Sequence, residues 1–287
     1  MPTGESESSG DLHMPSLFRA LDGKRVESQS AIFAICRSDQ HGNVVEPLGT
    51  AFFVGSGIFL TADHVVGPYE RQILMALVPV GNDAMLAFRI AQIAAREKAD
   101  IALGRLDVRS IDGRQLPGTT QSLAINLTRL PLHSGVHTHA FPNHLVKELE
   151  SAPPVLQHVR YFPAWAGGWV SAHYPDGGAQ WLKPENPCFA ITTHIDGGLS
   201  GGPVMSSLGL VSGVNSGGRD DVTFCTYIDE AMGLEISVPR GDDSFVTRSL
   251  NELVAGGEVA AIEPTTEPLI DPTHPAVVVY EAPDEDE

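Results

Sequence analysis

The stretch Asp196-Gly-Gly-Leu-Ser-Gly-Gly-Pro-Val204 holds a serine in surroundings that suit one chemical task. Glycines on both sides of it lack a Cβ, so the backbone can fold tightly around Ser200. Its own N–H and that of Gly198 can then point at one spot. Two N–H groups converging there would stabilise an oxyanion forming on a carbonyl under attack by Ser200 Oγ. A Gly-Gly-Pro turn between two strands, with Ser200 as a turn residue, is the competing reading. A base, and an acid to orient it, must decide between the two. His64 stands in Thr61-Ala-Asp-His-Val65, directly after the apolar run Ile58-Phe-Leu60. That position favours a base at the end of a buried strand over a histidine packed in the core. Asp100, in Lys98-Ala-Asp-Ile-Ala-Leu103, sits at the entrance to another apolar run. Taken alone, it reads more simply as an exposed turn aspartate.

The elements that must position these residues read as strands. Ala31 to Cys36 is a continuous apolar run, and Leu48 to Val54, Gly55-Ser-Gly57 and Ile58 to Thr61 give strand, tight turn, strand. Ile73 to Pro79 and Ala87 to Ala94 add two more, and residues 107 to 122, with Asp-Gly and Pro-Gly, suit a crossover. Strand-like runs resume at Ser122 to Leu127, Gly135 to Phe141, Val155 to Phe162, Trp169 to His173 and Cys188 to Thr193. Two more, Gly209 to Asn215 and Val222 to Ile228, follow Ser200. Ser244 to Val254 is expected to be a helix capped by Ser244, with Leu250, Leu253 and Val254 on one face and Gly256-Gly257 ending it. Residues 1–27 are polar and Ser/Glu/Gly-rich, which predicts a flexible arm with at most one helical turn at Leu17 to Leu21. Residues 257–287 form an acidic tail expected to be disordered, with Ala276 to Tyr280 as a short strand or docking segment within it.

The formal charge of -18 argues against nucleic acid and against an anionic membrane surface as partners. Half of it falls between Glu258 and Glu287, where nine acids meet no Lys or Arg. No apolar run reaches membrane-span length, and the N-terminus has no basic region followed by an apolar one. Cys36, Cys188 and Cys225 cannot all pair with one another and lack metal-ligand spacing. A protein of a reducing compartment, cytoplasmic and without a signal peptide, is the resulting expectation.

Thr61-Ala-Asp-His64, Asp100-Ile-Ala-Leu103 and Gly198-Leu-Ser-Gly-Gly-Pro203, in this order, resemble the trypsin/chymotrypsin-like serine peptidases over residues 31 to 240. The resemblance implies an all-β chain of two antiparallel six-stranded β-barrels, the first at about 28–110 and the second at about 120–240. A short C-terminal helix at 244–255 would complete a peptidase domain of residues 28–256. It implies His64, Asp100 and Ser200 as a catalytic triad, with Gly198 and Ser200 N–H as the oxyanion hole. By family position His194, Ser216 and Gly217 border the substrate-binding pocket. An aspartate is absent from the floor of that pocket, so cleavage after Lys or Arg is not supported there. His194 could accept an acidic or a polar side chain, and Asp196 could attract a basic one. No cofactor is implied, and the partner is a protein or peptide substrate. Leu199 stands where digestive members carry the aspartate that pairs with a new N-terminus, so that activation is absent. A site held latent until a protein partner or the tail changes is therefore part of the reading.

Chain order removes two rivals. An α/β-hydrolase needs an acid and then a histidine after Ser200, and only His274 follows it. A subtilisin-like order needs an acid with its own motif ahead of His64, and none is found. Asp63, adjacent to His64, is poorly placed to reach the inner ring nitrogen. The family's stress-protease branch carries a following peptide-binding domain, for which too few residues remain. A catalytically silent binding module on the same fold is the rival from another class, and an esterase shares the chemistry. His133, His137, His139 and His144 invite a metal, and His137 and His139 would share a strand face. No patterned cysteine or carboxylate accompanies them, so no metal is assigned. Trp165, Trp169 and Trp181 are read as packing residues.

Overall fold

Short apolar runs, punctuated by glycine and proline, make strand the main regular structure of the described residues. The computed structural model describes residues 18–19, 25–26, 30–40, 44–69, 71–80, 84–118, 120–141, 146–148, 159–161, 164–177, 186–193, 198–219, 222–240, 244–263 and 277–280. Strands β1 (Phe18–Arg19) and β2 (Arg25–Val26) pair antiparallel. Phe18 and Arg19 are thus strand where a helical turn was expected, and the rest of Leu17 to Leu21 lies outside the described residues. Five residues are too few to repay helix nucleation, whereas pairing satisfies the backbone groups at once.

The first barrel closes in the order β3-β4-β5-β8-β7-β6. Its strands are β3 (Ile32–Ser38), β4 (Val44–Gly55), β5 (Ile58–Thr61), β6 (Ile73–Val80), β7 (Ala84–Arg96) and β8 (Ile101–Ser110). Inside it the Phe33 ring lies 4.6 Å from Phe53 and meets Phe59 edge-on at 5.3 Å, centroid to centroid. Gly104 faces Phe59 across the β5–β8 pair, and a Cβ there would fall 2.2 Å from the ring. The absent side chain is what gives Phe59 its place.

The second barrel uses β10 (Gly135–Ala140), β13 (Ala164–Tyr174), β14 (Cys188–Ile191), β15 (Pro203–Ser206), β16 (Val211–Arg219) and β17 (Val222–Tyr227). They run β15-β10-β13-β14-β17-β16, and the pairing of β15 with β16 closes the ring. β9 (Ile125–Asn126) adds in parallel to β16, while β11 (Val146–Glu148) and β12 (Val159–Tyr161) form a separate hairpin. Two closed six-stranded antiparallel barrels with a short C-terminal helix were expected, and they are present.

That helix starts later than the sequence reading placed it. Phe245 to Ser249 is strand β19, paired with β18 (Glu235–Pro239), and α2 spans Leu250–Ala255. Its N-cap is Ser249, not Ser244. Ser249 and Glu252 complete a reciprocal capping box, whereas Ser244 has Thr247 three residues on and cannot form one. Leu250 and Leu253 are then fully buried. Ser249→Ala is expected to cost about 1 kcal/mol, read as a lower denaturation midpoint at unchanged slope.

Within the acidic tail the short strand expected at Ala276 to Tyr280 is present as Val277–Tyr280, and Ala261–Ile262 is a second strand where disorder was expected. β20 (Ala261–Ile262) pairs in parallel with β9, and β21 (Val277–Tyr280) pairs antiparallel with β13. The acids lie around these segments rather than in them, and average composition hides two short uncharged runs. Among the described residues no helix is long and apolar enough to cross a membrane. Cys36, Cys188 and Cys225 are buried and form no disulfide, and burial pushes the Cys188 thiol up to about 12 and that of Cys225 higher than usual.

Candidate active site

Strand β5 is buried along its whole length and delivers the chain to α1 (Asp63–Val66), a single turn. Val65 and Val66 bury their side chains and leave His64 facing outward, with 45 % of its side chain exposed. Asp100 ends the 3-10 turn Glu97–Ala99 in the left-handed region, at φ 50°, just before β8. A non-glycine residue there is strained, and Asp tolerates it better than most. The conformation aims its carboxylate at His64, with only 4 % of the residue exposed.

The two meet closely. His64 Nδ1 lies 2.9 Å from each Asp100 carboxylate oxygen, and the His64 N–H donates to Oδ1 at 2.9 Å. The Ser216 hydroxyl donates to Oδ2 from β16 of the other barrel. These donors compensate the buried carboxylate and fix the imidazole so that Nε2 faces away from the acid. Burial alone would lower the His64 pKa. The hydrogen bond to Asp100, the charge of Asp100 and then that of Asp63 outweigh it, so the net shift is upward from 6.5.

Ser200 is held by different means. Thr50, on β4, donates its N–H to the Ser200 carbonyl at 2.8 Å and its hydroxyl to the Gly198 carbonyl at 3.0 Å. Its hydroxyl also accepts the Phe141 N–H at 3.0 Å, and its carbonyl accepts the Thr61 hydroxyl at 2.7 Å. One threonine thus ties the serine segment of the second barrel to the strand that leads to His64. Asn215 braces the other side: its carbonyl accepts the Gly201 N–H at 2.8 Å, and its amide donates to Thr138 Oγ1 at 2.6 Å. Gly198 and Gly201 adopt φ of 97° and 84°. A Cβ on Gly201 would fall 2.1 Å from the Thr50 carbonyl and 2.2 Å from the Thr61 hydroxyl. Gly201→Ala is expected to carry about 1–2 kcal/mol of left-handed strain before that clash is counted, and so to lower the thermal midpoint clearly.

Among the described residues neither the Gly198 N–H nor the Ser200 N–H donates a hydrogen bond. No hydrogen bond joins Ser200 to His64 among them either. Gly217 lies beyond Ser216 on β16, where a Cβ would meet open space. His194 and Asp196 lie outside the described residues. The structure therefore brings His64, Asp100 and Ser216 into contact and sets Ser200 and Gly198 on a segment braced against the same strands. Thr50 and Asn215 were not foreseen; a threonine inside an apolar strand carries no local signal of such a role.

His64 and Asp100 come from the first barrel, and Ser200 from the turn entering β15 of the second. This is the chymotrypsin-like fold. No family model matches the chain, and no curated protein matches it. Among solved structures, the chymotrypsin-like chain is similar to Rv3671c protease in its inactive form, at 17% identity and TM-score 0.46, over 70% of this chain and 85% of that one. It is similar to the serine endoprotease from Yersinia pestis at 16% identity and TM-score 0.48, over 74% and 61%. For Deg5 the values are 16%, 0.46, 71% and 86%.

His137 and His139 both stack on Trp165, His139 at 4.1 Å. Burial lowers His137 to about 4, and burial with the neighbouring His137 pushes His139 well below the usual range. These are neutral rings packed in an aromatic stack. No group of three His, Cys, Asp or Glu poised for a metal occurs among the described residues. A cavity of about 1150 Å³ lies at the far end of the first barrel, bordered by Ile58, Arg105 and Val238, and holds none of the candidate residues.

Proposed function

We propose that this chain is a serine endopeptidase of the trypsin/chymotrypsin-like family. The observation that carries the proposal is the buried Asp100 carboxylate, held by Ser216 and clamped onto Nδ1 of a half-exposed His64. Acyl transfer needs a buried acid, an imidazole that it orients, a serine and two N–H donors for the oxyanion, which in this reading are those of Gly198 and Ser200. Ser200 Oγ attacks the carbonyl carbon of a peptide bond as His64 Nε2 takes its proton. The carbonyl oxygen becomes an oxyanion between the Gly198 and Ser200 N–H groups. His64, now an imidazolium stabilised by Asp100, returns the proton to the leaving amine, and an acyl-enzyme ester remains. Water, deprotonated by His64, attacks that ester; collapse of the second tetrahedral adduct frees the acid and restores Ser200. His194 and Gly217 border the side-chain pocket in this reading, with Ser216 serving Asp100 as well.

The catalytically silent binding module is kept as a second reading for one reason: Ser200 and His64 share no hydrogen bond among the described residues. Catalytic hydrogen bonds commonly tighten only when substrate is bound. A resting site that an activating partner completes fits the same observation. Fluorophosphonate labelling tests the proposal. Labelling of the native protein that disappears in Ser200→Ala and His64→Ala supports it, whereas a folded protein that never labels, with or without candidate partners, sinks it.

A further inference from the structure

The stretch from Thr192 to Leu199 meets one short piece of β13 at both of its ends. At its start, Thr192 donates its N–H to the Trp169 carbonyl at 3.1 Å, and its hydroxyl accepts the Trp169 N–H at 3.2 Å. Gly168 must be glycine for this approach, since a Cβ would meet Thr192 Oγ1 at 2.9 Å. At its end, Leu199 is 2 % exposed and packs in one cluster with Ala140 and Ala166. Thr192 and Leu199 therefore bracket the oxyanion segment, and residues 166–169 of β13 are their common footing.

That footing is weak as a strand by itself. Ala164-Trp-Ala-Gly-Gly168 consists mostly of alanine and glycine, which pack little and favour strand poorly. One edge pairs with β10, from Ala164 opposite Ala140 to Gly168 opposite Val136. The other edge pairs with β14 only from Val170 onward, because the chain of β14 departs at Ile191. Residues 164–167 would then present an open row of backbone donors and acceptors, the kind of edge that recruits another strand. β21 fills it, with Ala164 opposite Tyr280, Ala166 opposite Val278 and Gly167 opposite Val277.

We propose that the edge of β13 at Ala164–Gly167 is a strand-addition site governing the oxyanion loop, and that its occupant is the chain's own Val277–Tyr280. It takes an extended, uncharged, β-branched segment through main-chain hydrogen bonds. With the edge filled, residues 164–169 are ordered from both sides, and Leu199 and Thr192 are held at fixed positions. With it empty, the Ala/Gly segment loosens, and the Gly198 N–H loses its aim. This rests on the catalytic reading above.

The test uses the full chain with a single proline, Val278→Pro, which breaks an added strand. Hydrogen exchange at residues 164–167 reports docking, exchange at β14–β17 reports the intact barrel, and fluorophosphonate labelling reports the site. Lost protection at 164–167 with labelling slowed roughly 100-fold, the scale of losing one oxyanion donor, is expected. A synthetic peptide of residues 274–283 added to the variant should restore both. Lost protection with unchanged labelling overturns the inference and leaves the catalytic reading standing. Retained protection in the variant also overturns it. Unmodified protein that is protected but never labels ends the catalytic reading and this one with it.

Discussion

Ser200→Ala and His64→Ala are each expected to lower kcat by about 10⁴–10⁶-fold, and the double variant by no more than either alone. The nucleophile is a weak one until a base removes its proton, so losing either member removes the same step. Additive losses would mean that the two residues act independently, and the triad reading would then be wrong. The residual rate should exceed that of the uncatalysed reaction, because the Gly198 and Ser200 N–H groups survive both substitutions. Single-turnover hydrolysis of an activated ester substrate, which does not depend on knowing the peptide specificity, measures all three variants.

Asp100→Asn should come close behind, at about 10⁴-fold. An amide can keep the contacts to the His64 N–H and the Ser216 hydroxyl, but it holds the ring in the wrong tautomer and gives no countercharge to the imidazolium. The pH profile separates this from simple damage. In the native protein His64 titrates above 6.5, so activity rises with pH through a midpoint higher than that of an ordinary histidine. Removing Asp100 removes the largest upward contribution and leaves burial, which acts downward, against only the smaller upward effect of the Asp63 charge. The midpoint of the residual activity should therefore fall. The sign for stability runs the other way. Protonated His64 contributes stability that is complete below about 6.5 and is lost as pH rises through the folded value, so the native protein should show this loss and Asp100→Asn should not. An unchanged midpoint would separate Asp100 from the imidazole.

The sequence made some of this visible because certain residues carry local signals. Glycines flanking Ser200 announce a backbone no other residue allows, and Gly201, wedged against Thr50 and Thr61, is such a case. His64 after an apolar strand and Asp100 before another could be placed by order alone, yet the left-handed φ of Asp100 and its clasp by Ser216 could not. Those depend on strands more than a hundred residues apart. Thr50 shows the same limit: it looks like any strand threonine until the second barrel arrives. Ser244 and Ser249 show a failure of a different kind, in which apolar periodicity was extended one turn too far. The capping box at Ser249 and Glu252 was present in the sequence and marks the true start.

The three cysteines give the molecule a practical property. A thiol must be ionised and reachable to react, and Cys188 and Cys225 are neither at neutral pH, while Cys36 lies within the first barrel's core. Natural thiols are thus silent toward alkylating dyes while the fold is intact. A single cysteine placed on the surface becomes the sole attachment point, with no need to rebuild the interior. Conversely, the onset of alkylation in the unaltered chain is a clock for opening of the barrels, timed without any substitution.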